Sequence, residues 1–106
     1  MDKLYAIVHS YDNGINIRAV TKNFDSAVNL LCDDVWESIL SVVEWYGDSD
    51  DKEDYLPKSR EEIVPGLEWN RADVWIYILP SGHTASLDYG SHSEEWSIAE
   101  LPTVME

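Results

Sequence analysis

The sequence predicts an α+β domain of two layers, in which an antiparallel sheet in the order β-β-α-β-β-β carries one long helix packed on one face. Short runs rich in β-branched and aromatic residues, separated by turn-forming residues, occur near both ends of the chain. One segment of helical periodicity lies between them. Because 106 residues suffice for one hydrophobic core but not for two, we expect residues 1–106 to form a single domain.

The first predicted element is a β-hairpin. Residues 4–11 mix β-branched and aromatic side chains, and residues 15–20 alternate roughly between apolar and polar positions. Between them, residues 12–14 read Asp-Asn-Gly, which is typical of a tight turn. The two runs are therefore expected to pair as antiparallel strands.

A long helix is predicted after the hairpin. Asp25 or Ser26 can cap its start, and Gly47 can end it because glycine tolerates the left-handed backbone conformation. Its apolar positions recur at helical spacing and are Val28, Leu31, Val35, Ile39, Val42, Val43 and Tyr46. We expect this apolar side to pack on the sheet.

An acidic loop at about residues 47–58 follows the helix. Residues 48–54 include no apolar side chain, so their like charges are expected to keep this stretch solvated and extended. Ser59 and Glu62 then match a capping box, but the proline and glycine that follow allow only a turn or two of helix.

Three strands are predicted to complete the sheet. Residues 73–79 are typical of a buried strand, and residues 84–89 are its expected partner across a Pro-Ser-Gly turn at 80–82. Residues 95–101 alternate imperfectly and are predicted as the last strand.

The negative charge is concentrated in one third of the chain. Between Asp33 and Glu68, twelve carboxylates occur with three cations, giving −9 of the total net charge of −14. Phosphate backbones and anionic membranes are bound by clusters of Lys and Arg, which this sequence lacks. We therefore expect no direct nucleic-acid partner and no membrane, and we expect the basic surface of a protein as the partner.

The candidate binding residues are carboxylates of the helix and the loop, together with two aromatic residues beside the loop. On a helix, Asp33, Glu37 and Glu44 fall within roughly 40° of one another and form one exposed stripe. The complete set of candidates is Asp33, Glu37, Glu44, Asp48, Asp50, Asp51, Glu53, Asp54, Tyr55 and Trp69. The competing interpretation is that an outer helix face and an acidic loop are charged for solubility alone.

No catalytic or metal-binding motif accompanies these residues. Residues 48–54 depart from a calcium loop because lysine and glutamate occupy the fifth and sixth positions. His9, His83 and His92 lack zinc-site spacing and are expected to be ordinary surface or strand residues. Cys32, the only cysteine, lies on the apolar side of the helix, where we expect a buried thiol and no nucleophile. We expect no enzymatic activity, no cofactor and no metal.

In composition and element order the chain is similar to small acidic proteins of phages and mobile elements, among them nucleic-acid mimics and anti-CRISPR inhibitors. The residues that prompt this resemblance are Asp33, Asp34, Glu37, Glu44 and the 48–54 run. It implies inhibition of a nucleic-acid-handling protein, such as a CRISPR effector, by occupation of its basic groove. The alternative is a small accessory or immunity-type domain that recognises its partner through its sheet or aromatic surface, with acidity serving solubility.

A cytoplasmic location is expected. The first residues lack the basic region and apolar run of a signal peptide, and no stretch approaches the ~20 apolar residues of a membrane span. The absence of a possible intrachain disulfide also fits a reducing compartment.

Overall fold

The computed structural model describes residues 3–11, 14–46, 56–71, 74–90 and 92–101, without the side chains of residues 43–46. Its elements are β1 (Leu4–Tyr11), β2 (Gly14–Thr21), α1 (Phe24–Tyr46), a 3-10 turn (Arg60–Glu62), β3 (Glu68–Arg71), β4 (Val74–Ile78), β5 (Thr84–Tyr89) and β6 (His92–Leu101). Within this part of the chain the strands form one antiparallel sheet in the order β2-β1-β6-β5-β4-β3, and α1 packs on one face. The predicted α+β class is confirmed.

Strand β3 is an element that the sequence pattern does not predict. It has four residues, Glu68–Arg71, and pairs only with β4 at the edge of the sheet. Three of its four residues are polar, so it shows none of the β-branched enrichment that marks the other strands. The predicted order with three strands after the helix is therefore wrong by one strand.

A β-bulge in the first hairpin determines where Arg18 points. The register shifts between Ile7 and Val8, which pair with Ala19 and Ile17 and leave Arg18 as the extra residue. Its Nε atom lies 3.0 Å from Asp34 Oδ1 on α1, so the bulge directs this cation toward the helix layer.

The helix begins at Phe24, and its cap is Asn23 rather than the predicted Asp25 or Ser26. The Asn23 Oδ1 atom accepts the Ser26 backbone N–H at 3.0 Å. This start places the Phe24 ring 5.4 Å from that of Tyr5 and 4.7 Å from that of His83, which anchors the first turn on the sheet. No helix in the described ranges is long and apolar enough to cross a membrane.

The hydrophobic core lies between α1 and one face of the sheet. The predicted apolar side of the helix is confirmed where its side chains are described, and Cys32 is buried with it. The largest buried side chains are Trp96, Ile7, Leu31, Ile39, Ile63, Ile76, Ile78 and Leu87. Burial of such side chains from both layers is what holds the helix to the sheet.

Candidate functional site

Of the ten predicted binding residues, the structure describes the side chains of Asp33, Glu37 and Trp69. Glu44 lies in α1, but its side chain is not described. The remaining candidates lie outside the described residues and are Asp48, Asp50, Asp51, Glu53, Asp54 and Tyr55.

Asp33 is exposed on α1, as predicted, and it is paired with a cation. Arg60 Nε lies 2.6 Å from Asp33 Oδ1. The same guanidinium donates to the backbone carbonyls of Asn29, at 3.2 Å, and Ile63, at 3.0 Å. Asp33 therefore helps to hold the segment after the acidic loop against the helix, and Arg60 compensates much of its charge.

Glu37 is the exposed predicted carboxylate of α1 for which no ion pair is found in the described part of the chain. It borders a small hollow together with His9, Ser38 and Ser41. Its carboxylate is exposed at the helix surface.

Trp69 is half-buried on β3 and packs against the edge of the core. The Arg71 guanidinium lies 4.8 Å from the centre of its ring, a cation–π distance. The indole thus contributes to internal packing and is partly exposed at the edge of the sheet.

Asp34, one of the acidic residues that prompt the resemblance to small acidic inhibitors, points into the interface between helix and sheet. Its side chain is 11% exposed, and its Oδ2 atom accepts the Trp96 Nε1–H at 2.7 Å. Its Oδ1 atom accepts from Arg18 Nε at 3.0 Å. The Trp96 ring in turn stacks on the His9 ring, with centroids 4.6 Å apart and planes 4° from parallel.

Glu94 forms the second half of this buried polar cluster. Its Oε1 atom lies 2.7 Å from His9 Nε2 and 3.1 Å from Ser38 Oγ, and its Oε2 atom accepts from Tyr89 OH at 3.0 Å. An imidazole N–H can donate to this carboxylate oxygen, as the Ser38 hydroxyl does. The expectation of His9 as an ordinary surface or strand histidine is incomplete, because its ring is buried between three elements.

The cluster combines residue types common in active sites, yet its hydrogen bonds are those of a structural network. The Ser38 hydroxyl donates to Glu94 and not to the imidazole, so His9 is not placed as its general base. Every buried side-chain polar atom in the described ranges has a partner. The same ranges hold no group of three or more His, Cys, Asp or Glu residues placed to bind a metal.

Cys32 does not form a reactive site in the described structure. It is buried in α1, and burial raises the pKa of its thiol, with Asp33 adding to the rise and Arg60 opposing it. A raised pKa keeps the thiol protonated at neutral pH, and the protonated form is a poor nucleophile.

The face of the sheet opposite α1 is uncovered in the described structure and carries exposed aromatic residues. Along β4, Val74, Ile76 and Ile78 face the core, whereas Trp75 and Tyr77 are 56% and 41% exposed on the other side. The prediction of a wholly buried strand is therefore wrong for this face. Successive side chains of a strand point to opposite faces of the sheet, and in a two-layer fold only one face is covered. Alternation along this apolar run therefore indicates that Trp75 and Tyr77 are exposed.

Comparison with known proteins gives no match, whether with protein-family models, with curated proteins or with solved structures.

Proposed function

We propose that the protein is a non-enzymatic acidic binding protein that inhibits a nucleic-acid-handling protein by occupying its basic groove. The observation that carries this proposal is that several of the few cations are already ion-paired within the chain. Of the seven Lys and Arg residues, Lys3, Arg18 and Arg60 are ion-paired with carboxylates of the same chain. The net charge of −14 is a surplus of carboxylates over cations, and a basic surface is its natural complement.

The proposed partner class follows from the spacing of charge on nucleic acids. Duplex DNA carries one negative charge per ~1.7 Å of axis, and its binding proteins carry Lys and Arg arrays to match. Glu37 and the carboxylates of residues 48–54 offer a competing set of anions to such an array. The resemblance to nucleic-acid mimics and anti-CRISPR inhibitors supports the same class, and a cytoplasmic location is part of this proposal.

The absence of enzymatic activity is also part of the proposal. It is supported by the hydrogen bonds of the His9 and Glu94 cluster, which are directed inward, and by the burial of Cys32. Neither feature leaves an activated nucleophile at the described surface.

A second candidate function is a small accessory or immunity-type interaction domain in which acidity serves solubility. The exposed rings of Trp75 and Tyr77 favour it, because Trp and Tyr are enriched where proteins bind each other. In this case the uncovered sheet face, and not the acidic loop, makes the principal contact.

Two variants separate the candidates once affinity capture from the native host and mass spectrometry have identified a partner. One carries Asp50→Lys, Asp51→Lys and Asp54→Lys, and the other carries Trp75→Ala and Tyr77→Ala. If the principal proposal holds, we expect the Kd to be at least tenfold larger in 300 mM than in 50 mM NaCl. Duplex DNA should compete for the partner. The triple Asp→Lys variant should lose binding, and the aromatic variant should retain it. An affinity independent of salt, lost only in the aromatic variant, refutes it in favour of the second candidate.

A further inference from the structure

One row of directly paired residues crosses the whole uncovered face of the sheet. Each member is the cross-strand partner of the next, from β2 through β1, β6, β5 and β4 to β3. The row reads Ile15, Ser10, Glu95, Ser86, Tyr77 and Glu68. Apolar, small and acidic side chains are thus interleaved along a single line perpendicular to the strands.

The side-chain sizes along this row produce two adjoining hollows. One has a volume of about 700 Å³ and lies over β3, β4 and β5, and the other has about 520 Å³ and extends to β2. Both are lined by Tyr77 and Ser86. Ile15, which is 71% exposed, lines the second hollow, and Trp75 lines the first. The two hollows adjoin at Tyr77 and Ser86 and together form a trough lined by both apolar and polar side chains.

The charged side chains that the strand register places on this face are all acidic among the described residues. Glu68 and Glu95 lie in the row and Asp88 lies beside Trp75, and no described ion pair involves any of the three. The strand register places no described Lys or Arg on the face, and Arg71, which borders the trough, has its guanidinium over Trp69. A second copy docked here brings like charges together, whereas a basic partner complements them.

The backbone of the trough favours a helix as the bound element. The residues of the row already pair across the sheet, so an extended peptide gains main-chain hydrogen bonds only at the β2 or β3 edge. A helix satisfies its own backbone groups and can lie on a sheet face, as α1 does on the other side. Five strand spacings of about 4.8 Å make the row ~24 Å long, which equals roughly 16 helical residues.

We infer that the uncovered face binds a basic amphipathic helix of a partner protein, of about four turns, lying along this row. Its apolar side contacts Ile15, Trp75 and Tyr77. Its Lys or Arg residues contact Glu95 and Glu68. The strands that carry these two carboxylates are three strand spacings apart, or about 14 Å. The two cations of the bound helix are therefore two to three helical turns apart. This inference goes beyond the acidic-surface proposal, because it uses no residue of the loop at 47–58.

Because the sequence of the partner helix is unknown, the test selects binding peptides from a random library. A display library of 18-residue peptides with randomised positions is panned on the intact protein at 150 mM NaCl. We expect the selected peptides to combine apolar residues at i, i+3, i+4 and i+7 with Lys or Arg two to three turns apart. Selected peptides that are acidic, or that have no helical period, contradict the inference.

Matched variants locate the binding site of the selected peptides. Ser86→Arg places a bulky cation at the centre of the row, and Ser41→Arg places the same cation on exposed α1 as the control. We expect Ser86→Arg to weaken binding at least tenfold and Ser41→Arg to change it less than twofold. Equal effects of the two variants overturn the inference, and circular dichroism confirms that each variant is folded.

The result is independent of the acidic-loop proposal. The variant with Asp50→Lys, Asp51→Lys and Asp54→Lys is panned in parallel, and its peptides are expected to be of the same type as those of the wild type. Loss of peptide binding in this variant alone shows that the loop, and not the trough, is the site, and that outcome refutes the inference while leaving the proposed function standing.

Discussion

Asp33 and Asp34 show how adjacent carboxylates in one helix acquire opposite roles. The Asp33 side chain is 60% exposed and forms an ion pair with Arg60 at the surface. The Asp34 side chain is 11% exposed and accepts hydrogen bonds from Trp96 and Arg18. One residue corresponds to a rotation of about 100° around the helix, which moves the second carboxylate from solvent to the sheet.

Removal of these two carboxylates is expected to have very different effects on stability. Asp34→Ala leaves the Trp96 N–H and the Arg18 guanidinium without their acceptor, so we expect a loss of about 2–3 kcal/mol in the free energy of unfolding. Asp33→Ala removes an exposed pair and should cost less than about 1 kcal/mol. Urea unfolding of both variants measures the difference, and equal losses contradict the structural role of Asp34.

At the scale of elements, the turn between β4 and β5 is fitted closely against α1. Gly82 has φ of +80°, and its N–H donates to the Leu79 carbonyl at 2.8 Å. A Cβ atom at this position would lie 2.8 Å from Val28 Cγ1. Glycine is therefore required both by the backbone conformation and by the approach of the helix.

Gly82→Ala is expected to lower the free energy of unfolding by about 2–4 kcal/mol, because left-handed strain adds to the clash with Val28. Gly90→Ala is the matched control, since Gly90 has φ of +60° and no atom within 4 Å of an added Cβ, and it should cost only about 1–2 kcal/mol. Adding Val28→Ala to Gly82→Ala should restore part of the loss. Thermal unfolding tests all three, and identical losses for the two glycines refute the packing argument.

The elements that the sequence predicts well are those whose side chains repeat with a regular period. The first hairpin, the long helix and the strand at residues 84–89 all have such patterns, and the structure contains them with small changes in their bounds. Strand β3 has no period of its own, because Trp69 alone packs against the core and the strand is held in the sheet by pairing with β4. Its formation depends on a neighbour, so local sequence does not reveal it.

The candidate site is less predictable because it depends on which face each side chain occupies. The positions of Trp75 and Tyr77 follow from alternation, but only once it is known that a single helix covers a single face. The Asp34 side chain points toward the sheet because it accepts a hydrogen bond from Trp96, which is 62 residues away along the chain. Tertiary partners of this kind are invisible to periodicity.

At the scale of the whole molecule, the distribution of charge bears on stability and on the proposed recognition of a basic partner. Nine of the 21 carboxylates, and one of the seven cations, lie outside the described residues, with most of them in the 48–54 run. Among the described residues, Lys3, Arg18 and Arg60 are ion-paired with carboxylates of the same chain. In the sequence, five of the carboxylates lie in the 48–54 run. A net charge this far from zero destabilises a compact state, because the carboxylates repel one another, and this repulsion should be strongest at low ionic strength.

Stability is expected to rise with salt for this reason. The Debye length falls from about 30 Å at 0.01 M to about 8 Å at 0.15 M ionic strength, which screens repulsion between the exposed carboxylates. Each gain of 1 kcal/mol should raise the Tm of a domain of this size by roughly 4–8 °C. Differential scanning calorimetry at pH 7 in 10 and 150 mM NaCl measures the shift, and KCl should give the same shift because screening depends on ionic strength.

The acidic loop should account for much of this salt dependence. Reversal of Asp50, Asp51 and Asp54 to Lys changes the net charge from −14 to −8, so the variant should have a higher Tm in 10 mM NaCl and a smaller gain on adding salt. If the Tm of the wild type instead falls as salt is added, attractive ion pairs such as Lys3–Glu100 and Arg60–Asp33 outweigh the repulsion between carboxylates. The carboxylates would then be balanced within the fold, and the charge-driven binding that depends on their surplus would lose its physical basis.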